Sequence, residues 1–125
     1  MLTPELIASL YPRLYSEKRL DEWEALFDPH AIVVRTETGG ATRCQSLHEA
    51  MPEQREYAAD NETFLEEWRN VEIHRYGGIA IIRADYTLTT DAEIRDGVDV
   101  LTLADGADGW RIVTLCYEQA RLSGK

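Results

Sequence analysis

The 125-residue sequence has two cysteines, Cys44 and Cys116, far apart in the chain. Neither stands in a C-x-x-C pair and no paired-histidine spacing accompanies them, so the ligand set of a structural zinc site is missing. They read as reduced thiols of a cytoplasmic protein. No apolar run approaches the roughly 20 residues that span a bilayer, which excludes a transmembrane helix. The opening Met1-Leu2-Thr3-Pro4-Glu5 lacks a basic stretch and carries an early acid, so it is not expected to be a secretory signal. Positive charge is scarce: 13 Lys and Arg stand against 23 Asp and Glu, a net charge of −10. Such a chain is repelled by nucleic acid phosphates and anionic lipid, and neither is an expected partner. His30, His48 and His74 are dispersed, so no metal is expected. A phosphate loop, a G-x-G-x-x-G and a nucleophile elbow are all missing, and no cofactor is expected.

What is present is an ordinary globular mixture, 44% hydrophobic and 29% charged, enough apolar surface to offset the entropy of ordering. The length suits one domain over residues 1–125. Thr3 and Pro4 predict a helix from Pro4 to about Lys18, with Leu6, Leu10 and Leu14 on an apolar stripe beside Ile7, Tyr11 and Tyr15. Pro12 predicts a kink in it. Asp21 and Glu24 read as the capping box of a short second helix that buries Trp23, Leu26 and Phe27 and stops at Asp28-Pro29. Ala31 to Val34 reads as a short strand and Thr36 to Thr42 as a loop. Ser46 and Glu49 are a second capping box, opening a helix that Pro52 kinks or divides before Asn61.

From Phe64 the period becomes alternating. Phe64–Tyr76, Ile79–Thr89, Ile94–Ala104 and Trp110–Gln119 are predicted strands, joined by glycine turns and therefore antiparallel. The prediction is an α+β domain with helices on one face of an antiparallel sheet.

Three segments carry a resemblance: Leu20-Asp21-Glu22-Trp23-Glu24-Ala25-Leu26-Phe27-Asp28-Pro29-His30-Ala31, Gly78 to Tyr86, and Asp99-Val100-Leu101-Thr102-Leu103 through the glycine turn to Gly109-Trp110-Arg111-Ile112-Val113. Together they resemble the NTF2-like superfamily, in its SnoaL-like, ketosteroid isomerase-like and lumazine-binding-like members. The resemblance spans nearly the whole chain. It implies a cone, with a curved antiparallel sheet and about three N-terminal helices enclosing a pocket for a small apolar or weakly polar organic ligand. It further implies either a cofactor-independent isomerase, lyase, cyclase or epoxide-hydrolase-like enzyme or a non-catalytic binding or interaction module.

The ketosteroid isomerase resemblance places Tyr11 and Asp99 on hydrogen-bond donor positions of an oxyanion hole. Arg35 falls where that enzyme has its base and cannot accept a proton near neutral pH. An arginine beside Asp99 predicts an ionised, paired acid. Arg83-x-Asp85 resembles the Arg-x-Asp of limonene epoxide hydrolase and nominates Asp85 as the base, with Arg83 as anion stabiliser. The competing reading of each pair is a structural ion pair. Tyr15 and Trp68 join Arg35 and Arg83 as candidate substrate contacts. Val98, Val100 and Thr102 lie opposite Asp99 on β spacing. If Asp99 points inward, these point out and favour a homodimer.

Overall fold

A computed structural model describes residues 1–37 and 39–124, with backbone only for 120–124. Its first element shows how local signals were met. Thr3 accepts a hydrogen bond from the Leu6 amide at 3.2 Å and starts helix α1 (Pro4–Ser16), Pro4 taking a position whose amide would be unpaired anyway. The helix runs unbroken through Pro12. It buries Ile7, Tyr11, Leu14 and Tyr15, while Leu6 faces solvent. The apolar stripe is thus turned by about one residue from the Leu6-Leu10-Leu14 row, because the two tyrosines supply the larger buried surface.

Helix α2 (Leu20–Glu24) starts one residue before the expected cap, with no side-chain cap bond at Arg19. Asp21 is turned instead to Arg55, 2.9 Å away. Helix α3 (Leu47–Ala59) does have its capping box, with Ser46 and Glu49 bonding each other's backbone amides at 3.1 and 3.0 Å. Pro52 lies inside it without dividing it.

Strand β1 (Phe27–Glu37) is longer than the expected Ala31 to Val34. Pro29 is tolerated because the register with its neighbour breaks between Phe27 and Ile32, where a missing donor costs little. The short edge strand β2 (Arg43–Ser46) falls between the expected Thr36–Thr42 loop and the Ser46 cap, where no strand was expected. Four residues are too few to show alternation, and pairing with β1 supplies its structure. The expected Thr36–Thr42 loop includes Thr38, which lies outside the described residues. Strands β3 (Phe64–Tyr76), β4 (Ile79–Thr90), β5 (Glu93–Gly106) and β6 (Gly109–Gly124) form the antiparallel meander.

The sheet order is β2-β1-β6-β5-β4-β3, with β1 parallel to β6. Bulges interrupt β3 between Arg69 and Glu72 and β6 opposite Asp96/Gly97 and Thr102/Leu103, and each bends the sheet. All three helices pack against the resulting curved, open sheet, an α+β cone. At its narrow end Ile7, Ile82, Leu101, Leu103 and Ile112 are completely buried. At the other end the inner face turns polar. Val98, Val100 and Thr102 are half-buried on the outer face, opposite the inward Asp99. Among the described residues no helix is long and apolar enough to cross a membrane.

Candidate functional site

The wide end of the inner face encloses a cavity of about 350 Å³, at the small end of the range for ligand pockets. Its floor is built from alternating strand positions. Glu66 on β3 and Asp99 on β5 both point inward, 8% and 3% exposed. Trp68 and Tyr86 are opposite each other on β3 and β4, Tyr86 faces Gly97, and Ala84 faces Asp99. The methyl of Ala84 leaves room for the Trp68 indole to cross β4 and donate to Asp99 Oδ2 at 2.9 Å. Gly97 makes room for Tyr86: a Cβ there would lie 1.8 Å from the Glu118 carbonyl oxygen and 2.6 Å from the tyrosine ring.

Helix α1 fixes the other side. The Ser16 hydroxyl accepts from the Glu66 amide at 2.8 Å and donates to the Pro12 carbonyl at 2.7 Å. The backbone of Glu66 is thereby tied to the helix that carries Tyr11. Tyr11 stacks on Trp68 with ring centres 4.7 Å apart and leans on Trp23 at 5.3 Å. Its hydroxyl has no hydrogen-bond partner among the described residues and lines the cavity. Tyr15 instead donates to Gln54 at 2.5 Å. The Trp23 indole N–H is buried without a partner among the described residues, packed among Tyr11, Tyr15 and Phe27.

Electrostatics single out the two acids. Burial raises the Glu66 carboxyl well above its usual range, and the Asp99 charge and a hydrogen bond to Asp99 raise it further. Burial also raises Asp99, to about 6, with hydrogen bonds from Glu66 and Trp68 holding it down. Two buried acids in contact cannot both ionise cheaply, so the pair holds a proton, with Glu66 as donor and Asp99 as acceptor. Tyr11 is raised too, by burial and then by Asp99 and Glu66; its hydroxyl stays neutral and able to donate.

Of the residues expected at a site, Tyr11, Tyr15, Arg35 and Asp99 line the cavity, and Trp68 joins them through Asp99. The expected Asp99–Arg35 pair does not form. In the cross-strand row, Tyr117 on β6 stands between Asp99 on β5 and Arg35 on β1. Asp99 is accordingly raised by burial rather than lowered by a cation. Arg83 and Asp85 lie on the outer face, because Ile82, Ala84 and Tyr86 take the inward positions of β4. There Asp85 pairs with Arg83 at 2.9 Å and accepts from Asn70 at 2.8 Å, and these contacts, Asn70 first, lower its pKa. Glu66 was missed. Its signal was the alternation Phe64-Glu66-Trp68, one acid between two aromatics on one strand face. Among the described residues no group of three His, Cys, Asp or Glu is placed to hold a metal ion.

The fold is the NTF2-like fold. A candidate scytalone dehydratase from Novosphingobium aromaticivorans superposes with a TM-score of 0.80 at 13% identity, over 97% of this chain and 84% of that one. A candidate dehydratase of the NTF2-like family from Streptomyces avermitilis gives 0.74 at 11%, over 94% and 93%. An NTF2-like protein with a cystatin-like fold, also from N. aromaticivorans, gives 0.66 at 15%, over 90% and 77%. No protein-family model and no curated protein matches the sequence.

Proposed function

We propose that the protein is an acid–base enzyme of the lyase or isomerase type that needs no cofactor and acts on a small organic molecule in the cavity. One observation carries this reading: the Glu66–Asp99 pair, two buried carboxyls in hydrogen-bond contact facing a ligand-sized space. Asp99, at about 6, is mostly ionised at neutral pH and close enough to it to serve as a base. Glu66 holds the proton that an acid must give. In an elimination, Asp99 takes a proton from the carbon next to a carbonyl, and Glu66 protonates the departing hydroxyl, which leaves as water. Their hydrogen bond then returns the proton from Asp99 to Glu66, so the pair ends as it began. Tyr11 donates to the carbonyl oxygen as charge builds on it. Two dehydratase descriptions among the structural neighbours agree with this reading.

The reading includes a single domain over 1–125, a cytoplasmic location and a homodimer joined through the outer sheet face. Val98, Val100 and Ile81 on that face favour the dimer, which light scattering would report as twice 14.3 kDa.

The function is tested by incubating the protein in D2O with a panel of cyclic ketones and β-hydroxy ketones and following deuterium uptake and water loss by mass spectrometry. Catalysed exchange is expected, falling by about 100-fold or more in Asp99→Asn and Glu66→Gln. Exchange unchanged in Asp99→Asn, or none with any compound, overturns it.

A further inference from the structure

Arg35, Tyr117, Asp99 and Ala84 form one cross-strand row on the inner face. Arg35 and Asp99 are two strands apart, roughly 9–10 Å at the backbone. The two ends of this row differ in chemistry. At one end is the carboxyl pair. At the other, Arg35 lines the cavity and makes no ion pair among the described residues, in a chain with 23 acids and 13 bases. Its neighbouring arginines are committed elsewhere. Arg95 donates to Glu93 and Gln119, both at 2.5 Å. Arg43, opposite Arg35 on β2, pairs with Glu53 at 2.7 Å. A half-buried guanidinium with no counterion recovers only part of its lost hydration from the Tyr117 hydroxyl beside it, and a bound anion supplies the missing charge.

We propose that Arg35 binds a carboxylate of the substrate, which is therefore a planar organic acid with its reacting carbon at the Glu66–Asp99 end. The anion is a carboxylate because the planar fork of an arginine matches it with two parallel hydrogen bonds. The Tyr117 hydroxyl, close enough to Arg35 to feel its charge, adds a further donor. A dianion such as a phosphate monoester fits worse, since Glu53, Glu66 and Asp99 line the same cavity. The skeleton is planar because Tyr11, Tyr86 and Tyr117 present aromatic surface between the two ends. The two-strand separation sets the carboxylate apart from the reacting bond rather than next to it. The proposal rests on the acid–base reading for the reacting end alone.

The test is binding of cinnamate against cinnamamide, an uncharged molecule of the same shape. Titrations are followed by 15N NMR at the indole N–H signals of Trp23 and Trp68. Cinnamate is expected to bind about tenfold tighter than the amide, a preference that weakens with added salt. Arg35→Gln should abolish the preference and Arg35→Lys should reduce it. If Arg35→Gln does not fold, Arg35→Lys and the salt series decide. Equal affinities in the native protein, a preference that survives Arg35→Gln, or no shift at either indole at millimolar concentration overturns the proposal. The titration reads binding only. Carboxylate preference without proton exchange would therefore refute the acid–base reading and keep the Arg35 site, while exchange on neutral ketones without that preference would do the reverse.

Discussion

The Glu66 carboxyl reaches across strand β4 and hydrogen-bonds to the Asp99 carboxylate. Both groups hold protons more tightly in the fold than in the unfolded chain. Their contribution to stability is therefore least unfavourable at acid pH and worsens as pH rises from the unfolded values, 3.8 for Asp99 and 4.5 for Glu66, through the folded ones. A carboxyl moved from 3.8 to about 6 costs the fold roughly 3 kcal/mol once pH exceeds both. Glu66→Gln keeps a donor toward Asp99 and removes one titration. Urea melts at pH 4 and pH 8 should show this variant gaining stability over the native protein as pH rises. A constant difference between the two pH values would refute the shared proton.

The Trp68 indole is the other donor to Asp99, at 2.9 Å. Trp68→Phe removes that hydrogen bond while keeping an aromatic ring against Tyr11. The loss should be about 1.5 to 3 kcal/mol, the range for a bond to a charged group. The informative readout is the carboxyl carbon signal of Asp99 in a 13C NMR titration. Its midpoint, about 6 in the native protein, should move upward, because the ionised form loses a donor. A midpoint that stays put would mean that Trp68 only packs.

The strand pattern made most of the fold legible. Phe64–Tyr76 has the predicted bounds, and the next three strands differ from them mainly at their ends, because alternation and glycine turns act locally. The sheet order was not legible. Nothing in local periodicity says that β6 lies between β1 and β5, so the Arg35–Asp99 pair was expected where Tyr117 intervenes. Glu66 was hidden for a related reason. Beside Glu67 it reads as part of a solvated charge run, and its burial depends on distant elements such as α1, which Ser16 ties to its backbone. Arg83 and Asp85 show the opposite error. Their motif drew attention, although Ala80, Ile82 and Ala84 already mark the other face of β4 as the buried one.

Asp85 provides a control for the position of the site. It lies on the outer face, bound to Asn70 and Arg83, and these contacts lower its pKa. A lowered folded value contributes stability above the unfolded pKa of 3.8 and loses it as pH falls. Asp85→Asn should thus weaken the fold slightly near neutral pH, with the difference vanishing in acid. Deuterium exchange should be unchanged from the native protein. A large loss of exchange would place the chemistry on the outer face and return Asp85 to the role of base.

Gly97 is the position where the cavity and the fold depend on one missing atom. It lies opposite the β6 bulge, paired with Tyr86 on β4 and Gln119 on β6. A methyl group there would lie 1.8 Å from the Glu118 carbonyl oxygen and 2.6 to 2.8 Å from the Tyr86 ring. The ring could swing aside, but the carbonyl belongs to a paired strand and cannot move without breaking the ladder. Gly97→Ala should therefore destabilise by at least about 2 kcal/mol, within the range for overpacking, despite the better strand propensity of alanine. Displacement of Tyr86 would also push its ring toward Asp99 and narrow the cavity, so cinnamate affinity should fall along with stability. Tyr86→Ala opens the ring's space and leaves the carbonyl clash in place. In a double-mutant cycle Gly97→Ala should cost less in the Tyr86→Ala background than in the native one but should still destabilise, and no cost in that background would show that the ring, not the strand, sets the limit at this position.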